Sequence, residues 1–340
     1  MKKIMMVFDT PEEAMRICPV IQKLKQMEYK PVVLIPKQVE TAGIMEQVLA
    51  LFEVEPTHIL SVDLEPQTLN QLTAYALNEL ARIVKHEKID TTFVCGSTKI
   101  AFIAALASYY NGVPVTQAQT GEGEEAAAFL GKSTEALMAP LVTNHVVLGL
   151  ETALEKAADQ YVHSMPIDNY DTQKIILFDY QGKSNQRQIL EKSFQAIKQI
   201  TDIYKEVIFI IPIKLTTLVM ELANKILKGQ KQVYFVKPLN VLEYQSFMTR
   251  AWLVMTDHYN SLEMAQILQL PVLIMEGPRN KNSHDNYGVG TVIRFSKVQI
   301  TEWIERLLVD SGFYEEIARR PSPNKKIQTI EEMIESFVQK

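Results

Sequence analysis

The sequence predicts an α/β protein of two doubly wound domains, each a parallel sheet with helices on both faces. Three observations carry this. At 340 residues the chain exceeds what one hydrophobic core usually serves. Strand and helix patterns alternate along it twice over, without a repeated sequence period. The strands are runs of apolar residues lacking the alternation of a sheet with one face in water, so both faces are covered. Residues 251–275, AWLVMTDHYNSLEMAQILQLPVLIM, show the unit: an apolar strand from Trp252 to Met255, a polar turn from Thr256 to Ser261, a short helix, and a second strand opening at Pro271 and Val272. The turn joins a strand's carboxyl end to a helix's amino end, where free N–H groups and the helix dipole favour an anion. Asn260 or Ser261 is expected to cap the helix, with Glu263 in its first turn. The same pattern also describes an ordinary strand-to-helix connection, of which every α/β domain has several.

In order, Lys3 to Phe8 is an apolar strand. Asp9-Thr10-Pro11-Glu12-Glu13 then supplies a capping residue, a proline suited to a first turn and acids suited to a helix start. That helix runs to about Met27. Pro31 to Ile35 is the next strand, Ile44 to Phe52 a helix with apolar spacing of three and four, and Ile59 to Val62 a short strand. Leu69 to His86 is a long amphipathic helix with Leu69, Leu72, Tyr75, Ala76, Leu80 and Ile83 on one stripe. Thr91 to Val94 is a strand ending at Cys95-Gly96-Ser97-Thr98, followed by an Ala-rich buried helix from Ile100 to Tyr110. Val113 and Val115 belong to another strand, which gives way to a polar, flexible run from Thr116 to Glu125. His145 to Leu148 closes this half, with a helix from Glu151 to Tyr161 behind it.

Residues 163–173 are polar, contain Pro166 and lack periodicity, and form the expected linker. Beyond it strands are expected at Ile175 to Phe178, Val207 to Ile211, Gln232 to Val236, Trp252 to Met255 and Val272 to Ile274, with helices between. Thr291 to Phe295 reads as an edge strand, and Ile300 to Leu308 and Ile330 to Phe337 as terminal helices. The expected domains are thus 1–165 and 170–320, with 321–340 forming a terminal helix that returns to pack on the first domain, a return implied by the family resemblance described below. A ligand cleft between the two domains is the natural consequence.

Composition excludes several function classes. Hydrophobic residues at 47% and charged residues at 22% are ordinary for a globular protein. A net charge of -5 offers no basic footprint for nucleic acid. Cys18 and Cys95 form no C-x-x-C pair, and read as two reduced, mostly buried thiols. The apolar run in residues 1–8 is too short for a signal peptide, and no later segment reaches membrane-spanning length without charge, so a cytoplasmic protein is expected. There is no G-x-G-x-x-G, no P-loop and no H-E-x-x-H, so no dinucleotide, P-loop phosphate or metal site is signalled, and no cofactor is expected. His58, His86 and His163 read as solvated, and His145 as an interior residue. His258 and His284 fall in loops near the expected cleft and are candidates for acid–base work, as is Asp285. Glu122, Glu124 and Glu125 would supply paired carboxylates, or simply an acidic solvated loop.

Five stretches together carry a resemblance. Phe8-Asp9-Thr10-Pro11-Glu12-Glu13-Ala14 resembles an opening F-G-T-R-P-E-A, and Glu46-Gln47-Val48-Leu49-Ala50-Leu51-Phe52 a helix D-Q-V-L-x-L-F. Gly96-Ser97-Thr98 through Val113-Pro114-Val115 resembles G-D-T followed by an Ala-rich helix and I-P-V. Pro238-Leu239 through Tyr244 and Met255 through Ala265 resemble P-L-x-Y-x-x-F and L-T-D-S-G-G-x-Q-E-E-A. These are motifs of the non-hydrolysing UDP-N-acetylglucosamine 2-epimerases, and the chain resembles that family almost end to end. The resemblance implies two Rossmann-like domains about a central cleft, as in glycosyltransferase-B enzymes, and a homodimer; the helices Ile44 to Phe52 and Leu69 to Ile83 are apolar enough to leave one stripe uncovered, which places the expected contact on the first domain. It also implies chemistry: elimination of UDP to a glycal, then its return after protonation on the opposite face.

That chemistry needs a base for a weakly acidic C–H and an acid to return the proton. The family's arginine falls at Pro11 and its lysine at Arg16. Its G-D-T aspartate falls at Ser97 and its E-A-G glutamate at Gln119, neither able to abstract a proton at neutral pH. Its G-H-R-R-E-N falls on Tyr180-Gln181-Gly182-Lys183-Ser184-Asn185, and a later histidine on Lys214. In the polar turn a serine and two glycines become His258, Tyr259 and Asn260, and the second glutamate becomes Met264. The expected cleft residues are therefore Asp9, Thr10, Arg16, Ser97, Gln119, Gln181, Lys183, Lys214, Tyr244, His258, Tyr259, Asn260, Ser261 and Glu263. Two readings follow: a non-catalytic or repurposed relative binding UDP, a UDP-sugar, another ligand or a related subunit; or an active UDP-sugar epimerase whose acid–base groups have moved to Glu122, Glu124, Glu125, His258, His284 or Asp285, serving cell-wall or capsule synthesis.

Overall fold

A computed structural model describes residues 1–36, 42–61, 68–96, 98–118, 154–156, 173–182, 186–259, 261–276, 287–321 and 334. The chain divides into two compact units, Met1–Lys156 with Lys326–Lys340, and Ala157–Lys325.

In the first unit the strands are β1 (Lys3–Val7), β2 (Lys30–Pro36), β3 (His58–Leu60), β4 (Thr91–Cys95) and β5 (Val115–Ala118), and the helices α1 (Pro11–Gln26), α2 (Ala42–Leu51), α3 (Leu69–Glu87) and α4 (Lys99–Tyr110). All pairings are parallel, in the order β3-β2-β1-β4-β5. Burial on both faces explains the continuous apolar strands: Ile4, Met5 and Met6 have no exposed surface.

The second unit carries β6 (Lys174–Asp179), β7 (Val207–Pro212), β8 (Val233–Val236), β9 (Leu253–Thr256), β10 (Val272–Glu276) and β11 (Gly290–Arg294). Its helices are α5 (Gln186–Ile203), α6 (Thr217–Ile226), α7 (Val241–Met248), α8 (Leu262–Ile267), α9 (Lys297–Val309) and α10 (Ser311–Ala318). The order β11-β10-β9-β6-β7-β8, again all parallel, is that of a six-stranded Rossmann sheet. Both units are therefore Rossmann-like, and in each the chain reverses its direction of winding beside the first strand. That places a crevice at the carboxyl ends of β1 and β4, and another at those of β6 and β9.

Several expectations need correction. Thr116 and Gln117 lie inside β5 rather than in a flexible run, and Val113 lies outside it. Gln117 Nε2 donates to the Gly96 carbonyl at 2.7 Å, so a polar side chain is accommodated at the sheet's end. Tyr75 does not join the buried stripe of α3 but is 44% exposed. The α10 helix escaped the periodicity reading because it is short and contains Gly312. The Asp310 carboxylate caps it by accepting from the Phe313 N–H at 2.9 Å, and Tyr314 stacks on Trp252 at 5.1 Å. The expected strand His145 to Leu148 and the segment 163–172 lie outside the described residues. So do most of the helices expected from Glu151 and from Ile330, except for a helical turn at 154–156 and a buried Ile334. Cys18 and Cys95 are free and buried, and burial pushes the Cys18 thiol up to about 12. Among the described residues no helix is long and apolar enough to cross a membrane.

Gly290 shows how tightly β11 packs on the crevice helix. A Cβ there would stand 2.7 Å from Leu262 Cδ2, 3.0 Å from Tyr287 Cβ and 3.1 Å from Ile274 Cδ1. Gly290→Ala is expected to cost about 1–3 kcal/mol through overpacking, read as a lower urea midpoint.

Candidate functional site

At the end of β1 the backbone turns into α1 through a capping box. Thr10 Oγ1 accepts from the Glu13 N–H at 3.1 Å, while Glu13 Oε2 accepts from the N–H groups of Asp9 at 2.8 Å and Thr10 at 3.4 Å. Pro11 occupies the first helical position, so it offers no N–H there. The N–H groups of Asp9, Thr10 and Glu13 at this helix end are thus met by the chain's own side chains. Asp9 and Glu13 are both buried, at 7% and 3% exposure. Burial pushes both carboxyls above the ordinary range, and the neighbouring Asp9 charge pushes Glu13 further. Hydrogen bonding with the Glu13 and Thr98 side chains partly offsets the burial of the Asp9 carboxyl.

This pair has a consequence for pH. Both groups hold protons more tightly in the folded chain than in the unfolded one, so their contribution to stability is least favourable above their raised folded values and improves as pH falls through them toward about 4. Asp9→Asn is expected to raise the urea midpoint at about pH 7.5 and to flatten its change between there and about pH 5.

In the second unit the ends of β6 and β9 are joined by side chains. Asp257 accepts from the Gln181 N–H at 2.9 Å through Oδ1 and from the Gly182 N–H at 3.0 Å through Oδ2. Gly182 has φ of 77°, a left-handed conformation that permits this approach. The next residue, His258, turns inward: its side chain is 4% exposed, and Nε2 lies 3.0 Å from Asp179 Oδ2 at the end of β6. The His258 N–H donates to Thr256 Oγ1 at 3.2 Å, and Nδ1 is buried with no partner among the described residues. Tyr180 is buried, its hydroxyl pushed up to about 12 by burial and then by the Asp257 charge. Tyr259 packs against Tyr287 with ring centres 5.0 Å apart.

The expected cap on α8 is corrected here. Ser261 stands at the N-cap, but its backbone is already helical and its buried hydroxyl makes no cap hydrogen bond. Glu263 does lie in the first turn. Tyr244 and Tyr259 pack against one hydrophobic cluster, Lys214 is exposed in the segment after β7, and Arg16 is half-buried on α1. Ser97, Gln119, Glu122, Glu124, Glu125, Lys183, Asn260, His284 and Asp285 lie outside the described residues. The structure thus gathers Asp9 and Thr10 at one strand end, and Gln181, His258 and Tyr259 at the other. Sequence reading missed Asp179 and Asp257, which organise the second crevice. The signal for both was an acid at or just after a strand's carboxyl end, and Asp257 also fell on the aspartate of the L-T-D motif.

The family model described as UDP-N-acetylglucosamine 2-epimerase matches residues 141–337. The chain is similar to the UDP-N-acetylglucosamine 2-epimerase of Bacillus subtilis, 24% identical over 348 residues that cover 94% of this chain and 91% of the relative. Its fold is similar to that of the UDP-GlcNAc 2-epimerase from Neisseria meningitidis bound to UDP-GlcNAc, with a TM-score of 0.82, 21% identity, and coverage of 99% of this chain and 100% of the other. It is likewise similar to S. aureus MnaA solved with UDP, with a TM-score of 0.73, 24% identity, and coverage of 100% and 97%.

Proposed function

Because the chain belongs to the UDP-N-acetylglucosamine 2-epimerase family, we propose that it is a repurposed member that keeps the scaffold, binds a UDP-sugar weakly and does not epimerise it. The observation that carries this reading is the buried Asp9–Glu13 pair at the start of α1. The family resemblance places a glycine and then, two residues on, an arginine where this chain has Asp9 and Pro11. A glycine permits close backbone approach and an arginine binds departing diphosphate. A carboxylate and a proline do neither, and the carboxylate repels a polyanion. In the second unit, the Asp257 carboxylate already satisfies the donors at Gln181 and Gly182.

The other groups support the same reading. Ser97 and Gln119 stand where the resemblance places the proton-transferring carboxylates, and His258 is turned inward onto Asp179. A homodimer through the first unit, in the cytoplasm, completes the proposal. Tyr75, Tyr109 and Tyr110, at 44%, 58% and 68% exposure on α3 and α4, support such a contact. Calorimetric titration with UDP and UDP-N-acetylglucosamine tests the binding half: saturable heat without formation of the mannose-configured product is expected, and product formation at an enzymatic rate overturns the reading.

A further inference from the structure

We propose that the crevice of the first unit takes up a proton when it admits a diphosphate, and that Asp9 and Glu13 together hold that proton. This regulation belongs to the nucleotide-sugar site read above and rests on that reading. The crevice lies at the carboxyl ends of β1 and β4, and both carboxyls stand where β1 runs into α1. They are nine-tenths buried or more, and their side chains hydrogen-bond each other. Two ionised carboxylates only accept, so a proton must lie between them for that bond to form. The pair therefore rests with one proton and a single negative charge.

Its surroundings hold the remaining charge in place without cancelling it. Glu13 Oε2 accepts from the N–H groups of Asp9 and Thr10. Thr98, the N-cap of α4, accepts the Ala101 N–H through Oγ1, which leaves its own O–H to donate to Asp9. At the end of β4, burial pushes the Cys95 thiol well above its ordinary range, so it carries no charge, and Arg16 of α1 acts on that same thiol. Lys25 of α1 and Glu46, Glu53 and Glu55 share a cavity wall with Asp9, but all four are exposed to water and screened. A diphosphate brought beside the buried pair meets a like charge in a poorly screened setting, and a second proton removes it.

Titration calorimetry of the full chain with UDP-N-acetylglucosamine tests this, because a diphosphate esterified at both ends has no ionisation of its own near neutral pH. Binding is expected to be at least about fivefold tighter at about pH 5.5 than at about pH 8, since uptake of one proton allows up to about tenfold per pH unit. Heats compared in PIPES and in imidazole, buffers with different heats of ionisation, should report uptake of up to about one proton at about pH 6.5. Asp9→Asn with Glu13→Gln removes both carboxyls while keeping an oxygen at position 13 to accept the same N–H groups. That variant should show no uptake and should bind at about pH 8 within about twofold of the unaltered chain at about pH 5.5. Asp9→Asn alone should at least halve the uptake, because Glu13 then loses its like-charged neighbour, and this keeps the test decisive if the double variant folds poorly. Affinity independent of pH, heats independent of buffer, or uptake that survives the double substitution would overturn the proton assignment and leave the nucleotide-sugar reading standing. An absence of saturable heat at every pH in all three chains would overturn both.

Discussion

Incubated alone with UDP-N-acetylglucosamine, the protein is expected to turn over below about 0.001 per second. A typical enzyme works near 10 per second, and each positioned proton transfer contributes about a hundred- to ten-thousand-fold, so losing two removes at least about four decades. Ser97 and Gln119 stand at the two positions where the family resemblance places those groups. Electrostatic support for the leaving diphosphate falls on the same step. Removing one such contact typically costs about 3 kcal/mol, and here Pro11 replaces the cation while Asp9 adds a nearby carboxyl. Because elimination needs the base and the leaving-group contacts together, restoring one alone leaves the step slow. The assay follows the mannose-configured product and deuterium uptake from solvent at the sugar's second carbon. Turnover of about one per second or faster, abolished by Glu122→Gln, Glu124→Gln or His258→Ala, would show that the catalytic groups have moved within the chain.

Asp179→Ala is expected to destabilise the second unit by about 3 kcal/mol. The change strips the acceptor from His258 Nε2, whose ring is 4% exposed and whose Nδ1 has no partner among the described residues. A buried polar group left alone carries its full desolvation cost, whereas removing both partners of a buried pair is often far milder. The double variant Asp179→Leu with His258→Leu should therefore be more stable than Asp179→Ala. Urea unfolding, followed through the fluorescence of Trp252 and Trp303, measures both. A loss below about 1 kcal/mol for Asp179→Ala would mean that water reaches His258, and the buried-pair account would fail.

The amino-acid sequence by itself determined the local structure of this protein. Continuous apolar runs announced buried parallel strands, helical spacing announced α2 and α3, and the capping residue, proline and acids of residues 9–13 announced the start of α1. These signals are local, since each arises among residues a few positions apart that fold against one another or against a common core. The family resemblance reached further, because several such stretches in fixed order identify a scaffold of two Rossmann-like units.

What only the tertiary structure decided was the company each crevice residue keeps. Asp257 reaches Gln181 and Gly182 across 76 and 75 positions, and His258 reaches Asp179 across 79. No spacing rule connects them, and so His258 read as a cleft residue when the fold turns it inward. They meet because β9 returns beside β6 after β7 and β8 have been laid on its other side, which brings two distant strand ends within hydrogen-bonding reach. Asp9 was visible as an acid before a helix. That it is buried beside Glu13 depends on β2, β4 and α1 packing around the end of β1, and burial is a property of the assembled core that no short stretch of chain possesses.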